Sequence, residues 1–257
     1  MDIKKLRMAK AVACLAIAFL YLTSPASHAQ QFNGDNQWVA PHGVATLVGV
    51  VGEDYSQFIA TAALIPEYEF NIGFTHYYDD PVDGSGSYTA NSLYVKKRLS
   101  QNEAETAGYA LMFGTGLWPE HLEGDEVSSA GESWWVNGVA TYSFNNDQVS
   151  LDLLPGVVLN TDKGQNGENA WGFTYASRLA VAGLIPQSSI VAEVFGTLGE
   201  AQAEPSYRFG VRWDSPKLYI ALTYSDAFDG SGGAGMELGF MYLTDPRLCR
   251  GGCRPRR

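Results

Sequence analysis

His76, in the segment "GFTHYYDD", is the residue whose type and setting best suit chemistry. Nucleophilic catalysis requires a hydroxyl within hydrogen-bond reach of the imidazole and a third group that orients the ring. Barrel-embedded lipid hydrolases carry a serine two positions beyond such a histidine, but here that position holds Tyr78. We therefore interpret His76 as a rim histidine among interfacial aromatic residues, and predict no catalytic residue and no cofactor.

Two acidic segments, "DDPVDGSG" and "PEHLEGDEVSSAGES", could bind the divalent cations that bridge lipopolysaccharide phosphates. Calcium prefers several convergent oxygen ligands, and neither segment has the spacing of a defined calcium site. The sequence therefore predicts solvated acidic loops and no metal site. The loop acids concerned are Asp79, Asp80, Asp83, Glu120, Glu123, Asp125 and Glu126.

Nine charged residues alternate with apolar ones and are expected to face an enclosed interior. In "SYRFGVRWDS", Arg208 and Arg212 alternate with Phe209, Val211 and Trp213. Such charges can line an aqueous path and select solutes by charge, or they can pair across the interior and plug it. Both functions stay open, and the near balance of signs favours a narrow, partly occluded lumen. The predicted lumen-lining set is Glu69, Lys96, Arg98, Asp152, Arg178, Glu193, Arg208, Arg212 and Glu237.

The first 29 residues read as a secretory signal peptide. Four cationic residues precede the apolar run "AVACLAIAFLYL", and "SHA" supplies small residues at the expected cleavage position. A lipoprotein is the less favoured alternative, because Cys14 precedes most of the apolar run instead of following it. Beyond this leader no stretch approaches the ~20 apolar residues of a spanning helix, so any membrane span must consist of strands.

The charge of the chain excludes nucleic acid as a main partner. The formal net charge is −11, and the leader contributes +3 from four cations and Asp2, which leaves −14 for the mature chain. Five of the remaining cations are arginines in the tail "RLCRGGCRPRR", so the body carries −19. Such an acidic body repels polyanions. The tail pair Cys249 and Cys253 says little about the fold.

Twelve segments of apolar alternation predict an all-β chain, and their length favours a membrane barrel over a soluble sandwich. Tight turns alternate along the chain with longer, acidic, Gly-rich connections, as in outer-membrane barrels. We predict a transmembrane antiparallel β-barrel of about 12 strands over residues 38–243, a short N-terminal segment over 30–37, and a basic tail over 244–257. The segments lie near residues 38–51, 56–66, 68–78, 87–99, 104–117, 133–145, 147–160, 169–182, 188–198, 205–214, 216–226 and 233–243.

Alternation alone fits two opposite arrangements. A soluble sandwich turns its apolar face inward, whereas a membrane barrel turns it toward lipid and keeps ionic groups inside. Long strands, aromatic residues near strand ends, two classes of connection and an export signal favour the barrel. An even strand count places both termini on the periplasmic, short-turn side. "LPG" at Leu154 to Gly156 predicts a bulge or kink, either as a curvature device or as a lateral gap in the wall.

The C-terminal segments "EVFGTLGEAQAEPSYRFGVRW" and "KLYIALTYSDAFDGSGGAGMELGFMY" resemble the last strands of the outer-membrane transporters named for the meta-cleavage pathway of phenol degradation. The resemblance covers roughly the last sixty barrel residues. It implies a barrel that passes small, including hydrophobic, molecules, and it supplies no catalytic residues. The chain departs from the usual barrel pattern because "LTDPRLCRGGCRPRR" follows the terminal aromatic residues.

These patterns together predict an outer-membrane protein of a Gram-negative bacterium that gives small molecules passive passage. The alternative is a barrel with a plugged lumen whose acidic loops bind surface partners. A lipid-modifying enzyme centred on His76 is the third hypothesis. The expected partners are outer-membrane lipids, lipopolysaccharide and a small-molecule permeant of unknown identity.

Overall fold

The chain forms a closed β-barrel of twelve strands. The computed structural model describes residues 35–79, 86–117, 128–161, 168–201, 203–230 and 233–248. None of these residues belongs to a helix with the length and apolarity that a membrane crossing needs. The strands are β1 Ala45–Gly52, β2 Tyr55–Ile65, β3 Tyr68–Tyr77, β4 Tyr88–Gln101, β5 Ala107–Gly116, β6 Ser133–Phe144, β7 Val149–Asn160, β8 Ala170–Ala182, β9 Ser188–Gly199, β10 Ala203–Asp214, β11 Leu218–Ala227 and β12 Gly235–Leu243.

Every strand pairs antiparallel with its neighbours in sequence, and β1 closes the barrel on β12. The closing register runs from Thr46 opposite Leu243 to Gly52 opposite Glu237. Closure leaves no sheet edge, so each strand has a hydrogen-bonded neighbour on both sides. A chain that crosses hydrocarbon requires this, because lipid offers backbone N–H and C=O groups no partners.

The outward face of the wall is apolar and the inward face carries the charges. Outward side chains in the middle of strands stay open to the surroundings, with 44% exposure at Phe74, 46% at Leu222 and 52% at Phe209, whereas the neighbouring Arg208 is 3% exposed. A soluble sandwich would bury the apolar face, so that alternative is wrong for this chain. The prediction of a 12-stranded membrane-type barrel is confirmed.

The two rims differ as predicted. Turns such as 66–67, 145–148 and 215–217 lie at one rim, and the longer connections 78–87, 117–132 and 161–169 lie at the other. The tight turns use left-handed backbone, with φ of 52° to 63° at three successive residues, Asn145 to Asp147, which asparagine and aspartate tolerate better than most residues. The sequence pattern places "GEAQAE", residues 199–204, among the longer connections, and this prediction is wrong, because only 200–202 separate β9 from β10.

The first strand is shorter than the sequence pattern predicts, since it begins at Ala45 and not near residue 38. Pro41 and Gly43 break the strand that the preceding apolar residues suggest. The chain turns there, with Gly43 at a φ of 89° and a hydrogen bond from Val44 N to Pro41 O at 3.0 Å. Asp35 to Gln37 therefore leave the wall and lie buried inside the barrel.

The segment after β12 crosses the short-turn rim and holds this turn. Thr244 and Ala45 exchange two hydrogen bonds of 2.9 Å, one through the threonine hydroxyl. The Gly43 carbonyl accepts from the amides of Arg247 and Leu248 at 2.9 and 3.0 Å. The two barrel termini are thus joined at one rim. The predicted signal peptide over 1–29 and the tail cysteines lie outside the described residues.

An ion pair fixes this segment to the neighbouring turn. Lys217 Nζ lies 2.5 Å from Asp245 Oδ1 at the solvent-exposed rim. The hydrogen bond and the charge of Lys217 lower the pKa of Asp245, and the same contact raises the pKa of Lys217. The contact therefore favours the charged form of both groups.

Of the bulge or kink expected at Pro155, the bulge is absent, and the kink and the lateral gap stay predictions. The β7 register stays continuous on both sides of the strand, but the pairs that Leu154 and Pro155 would form with β6 are missing. On the β8 side, Pro155 stands opposite Tyr175 in an unbroken ladder. Proline has no N–H to donate, so β7 loses ladder pairs with β6 at this point while its register stays unchanged. Register shifts occur instead near strand ends, between Ala62 and Ile65, Arg98 and Ser100, and Ala203 and Ser206.

The outward orientation of β11 can be tested by placing a charge on it. We expect Leu222→Arg to lower the free energy of unfolding in lipid vesicles by about 2–4 kcal/mol, because a guanidinium at mid-wall faces hydrocarbon. Urea-induced unfolding followed by tryptophan fluorescence measures the loss. Leu184→Arg, at a residue 67% exposed in the β8–β9 turn, is the matched control and should cost far less. Equal losses would contradict the assignment of faces.

Candidate functional site: the barrel lumen

The inward charges form three networks, and the first of them ties the N-terminal segment to the wall. Lys96 on β4 is fully buried, and its Nζ lies 2.5 Å from Asp35 Oδ1 and 3.8 Å from Glu69 Oε2. The other Glu69 oxygen, Oε1, accepts a hydrogen bond of 2.6 Å from the amide of Ala40. One cation therefore lies between two carboxylates, and one carboxylate also binds the backbone of the entering segment.

The second network joins β6, β7 and β8. Arg178 donates from Nε and Nη2 to Asp152 Oδ2, at 2.9 and 2.6 Å. Asp152 Oδ1 accepts from the Thr141 hydroxyl at 2.6 Å. The same hydroxyl oxygen accepts from the amide of Gln37 at 2.9 Å, so this network also holds the N-terminal segment.

The third network is the largest, and it spans from β9 to β2 through the barrel closure. Arg208 Nε lies 2.8 Å from Glu237 Oε2, and its Nη1 lies 3.6 Å from Glu193 Oε2. Glu237 also accepts from the Thr223 hydroxyl at 3.0 Å and from the hydroxyl of Tyr55. The Arg208 guanidinium lies 5.3 Å from the ring centroid of Phe195, within cation–π range.

The last two residues of the predicted set lie nearer the short-turn rim. Arg98 pairs with Glu67 at 3.6 Å, and Arg212 donates from Nη2 to Asp214 Oδ2 at 2.9 Å. The structure thus places all nine predicted residues on the inward face. It brings all nine into ion pairs or triads with oppositely charged residues, and whether they line a conducting path stays a prediction.

An apolar and aromatic cluster also faces the lumen, and none of its members belongs to the predicted lumen-lining set. Trp135 is 1% exposed, and its ring centroid lies 5.5 Å from that of Tyr94. The signal was present in "SWWVN", where two adjacent tryptophans must face opposite sides of a strand. The cluster consists of Tyr94, Ala110, Met112, Trp135, Val139, Leu154, Ala176 and Phe195.

A glycine allows a polar contact beside this cluster. Asn137 Nδ2 donates to Thr174 Oγ1 at 3.2 Å across Gly156 of the intervening strand. A Cβ atom at Gly156 would lie 2.5 Å from the threonine oxygen and 2.6 Å from Asn137 Cγ. Gly156 in "LPG" therefore allows two inward side chains to meet above it.

The lumen is filled at the level of these groups. Glu69, Lys96, Asn137 and Asp152 are 0% exposed although they face the barrel interior. The N-terminal segment contributes to this filling, since Asp35 is only 4% exposed. A small cavity remains at the short-turn end, lined by Asn36, Gln37, Trp38, Glu105, Thr141, Ser143, Ser150, Asp152 and Arg178.

His76 lies on the outward face near the long-loop rim. Its Nδ1 is 2.9 Å from Thr89 Oγ1, and its ring meets Tyr78 edge-on at a centroid distance of 6.1 Å. Ser56 is its register partner on β2. In the described part of the chain no carboxylate hydrogen-bonds to His76, so the orienting group of a catalytic triad is missing there.

Across the described ranges, no group of three or more His, Cys, Asp or Glu residues is arranged to hold a metal ion. Of the acidic loop residues, Asp79 is described, while Asp80, Asp83, Glu120, Glu123, Asp125 and Glu126 lie outside the described residues.

Comparison with solved structures places the chain among outer-membrane porin barrels by fold. It is similar to KdgM porin, with a TM-score of 0.51 and 8% identity over 77% of this chain and 98% of that chain. An outer membrane channel from Pseudomonas putida F1 gives a TM-score of 0.48 and 13% identity over 82% and 98%. NanC porin gives 0.46 and 4% identity over 78% and 97%. No protein-family model and no curated protein sequence matches the chain.

Proposed function

We propose that this protein is a passive channel of the bacterial outer membrane for small molecules, hydrophobic ones included. The proposal rests on one observation, which is that a segment separate from the barrel wall blocks the lumen. The N-terminal segment from Asp35 to Ala40 lies inside the barrel, is not part of its wall, and fills the short-turn end of the lumen. Side-chain contacts with Lys96, Glu69 and Thr141 hold it there. Movement of that segment would widen the path without breaking a single wall hydrogen bond.

The mixed character of the lumen supports small amphipathic solutes over purely hydrophilic ones. The ionic networks and the aromatic cluster of Trp135 and Tyr94 meet inside the same barrel. Aromatic and apolar side chains bind the apolar body of a solute, and a few polar groups orient it. The resemblance of the last strands to transporters of the phenol meta-cleavage pathway agrees with this proposal.

A barrel that does not conduct is the second candidate, and the burial of the lumen charges favours it. Arg178 and Arg208 are 1% and 3% exposed, so both are withdrawn from water by their partners. In that case the networks would serve stability alone, and the acidic loops would bind partners at the cell surface.

Reconstitution separates the two candidates. The purified mature chain, inserted into a planar lipid bilayer, is expected to give stepwise currents in KCl, and proteoliposomes should swell in small neutral solutes. A barrel that inserts, shows the heat-modifiable gel mobility of a folded barrel and carries no current would establish the second candidate instead.

A further inference from the structure

The buried charges of the lumen are unbalanced. Among the described residues, the buried acids outnumber the buried bases by five to three. Arg98 and Arg212, which are less buried, each pair with a separate acid. Each of the three bases is bound to at least one carboxylate. The acids are Asp35, Glu69, Asp152, Glu193 and Glu237, and the bases are Lys96, Arg178 and Arg208.

The unsatisfied polar atoms show the same bias independently. Four buried side-chain oxygens that can only accept lack a hydrogen-bond partner within the described structure: Gln37 Oε1, Glu69 Oε2, Asn137 Oδ1 and Glu193 Oε1. Among atoms that can only donate, Arg212 Nη1 is in this state, whereas Arg208 Nε lies 2.8 Å from Glu237 Oε2. The hydroxyls of Thr46 and Ser128 are also in this state and can either donate or accept.

We infer that the lumen selects cationic solutes, and above all small amines with an apolar body, over anions; this inference rests on the proposed channel function. A permeant ammonium would supply the charge that the network lacks and N–H donors for the four oxygens that accept no hydrogen bond. An anion would meet bases that are already neutralised and carboxylates that repel it. Rings of carboxylates select cations in other pores by this principle.

The aromatic cluster extends the preference to organic cations. Phe195 stands two residues from Glu193 on the same face of β9, and Tyr94 and Trp135 are the other aromatic members of the cluster. The faces of such rings attract ammonium groups, and their area binds alkyl groups. A small alkylammonium ion therefore matches the lumen better than a potassium ion of the same charge.

The zero-current potential of the bilayer-inserted mature chain tests the inference. In a KCl gradient we expect K⁺ to permeate over Cl⁻ by about threefold or more, as carboxylate-lined pores do. With propylammonium chloride in place of KCl, which keeps the anion and adds N–H donors and an alkyl group, the cation should again be favoured, by a larger ratio. A ratio near or below one in both salts would overturn the inference while leaving the channel in place.

Substitutions assign the selectivity to particular residues. Glu193→Gln and Glu69→Gln lie in different networks, so a folding defect in one leaves the other usable, and each should lower the cation ratio by about twofold. Glu103→Gln makes the same chemical change at an exposed turn residue and should leave the ratio unaltered. Unchanged ratios in both lumen variants would overturn the assignment. A folded barrel without any current would overturn the channel function itself, and the inference with it.

Discussion

A mature chain that begins at residue 41 instead of residue 30 is expected to conduct at least about threefold more current per barrel than the full chain. Deletion removes the segment that occupies the short-turn end, where Asp35 reaches Lys96 and Gln37 reaches Thr141. A twelve-stranded wall encloses more space than the side-chain-filled eight-stranded kind, so the vacated volume becomes available to water and ions.

The deletion should not unfold the barrel. Lys96 keeps Glu69 as a partner at 3.8 Å, and the contacts among Thr141, Asp152 and Arg178 do not depend on the segment. Single-channel recordings of the two chains measure the effect. A chain that begins at residue 35 keeps the contacts of Asp35 and serves as the control, with the conductance of the full chain. Equal conductance in all three would show that the wall, and not the segment, limits flow.

The wall of the barrel could be predicted from sequence because a strand has a period of two. In β10, Phe209 and Trp213 must share one face and Arg208 the other, whatever the neighbours are. The predicted export signal and the length of the strands then indicate which face meets lipid. The shared face of the nine charged residues therefore followed from local pattern, and its inward orientation from the strand lengths and the predicted export signal.

The pairing of those charges could not be predicted in the same way. Arg208 meets Glu237 across β11, and Tyr55 reaches the same carboxylate across the closure of the barrel. Such contacts depend on register, which joins residues as far apart in sequence as 55 and 237. Local alternation contains no information on register between distant strands.

The internal segment was missed for a different reason. "WVAPHGVATLV" alternates well enough to suggest one continuous strand, but Pro41 and Gly43 divide it. Proline is tolerated at the start or edge of a strand, so its presence did not exclude the longer assignment. The buried acceptors of the wall, such as Glu69 Oε1, are what hold the segment inside, and they become visible only in the folded barrel.

Replacement of Arg208 by methionine is expected to lower the free energy of unfolding by about 3–5 kcal/mol. This side chain is 3% exposed and lies between Glu193 and Glu237, so its loss leaves two carboxylates facing each other without a cation. A broken buried ion pair costs that much because the remaining charge cannot recover its hydration.

The triple variant Arg208→Met, Glu193→Gln, Glu237→Gln isolates the cause. Replacement of the two carboxylates as well as the guanidinium should restore most of the lost stability, since neutral residues of similar volume replace buried ion pairs at little cost. Arg212→Met is the matched control, because its partner Asp214 lies nearer the rim and keeps 19% side-chain exposure. We expect that control to lose about 1 kcal/mol. Urea-induced unfolding in lipid vesicles measures the stability of all three variants. Equal losses for Arg208→Met and Arg212→Met would show that water reaches the network of Arg208 with its two carboxylates.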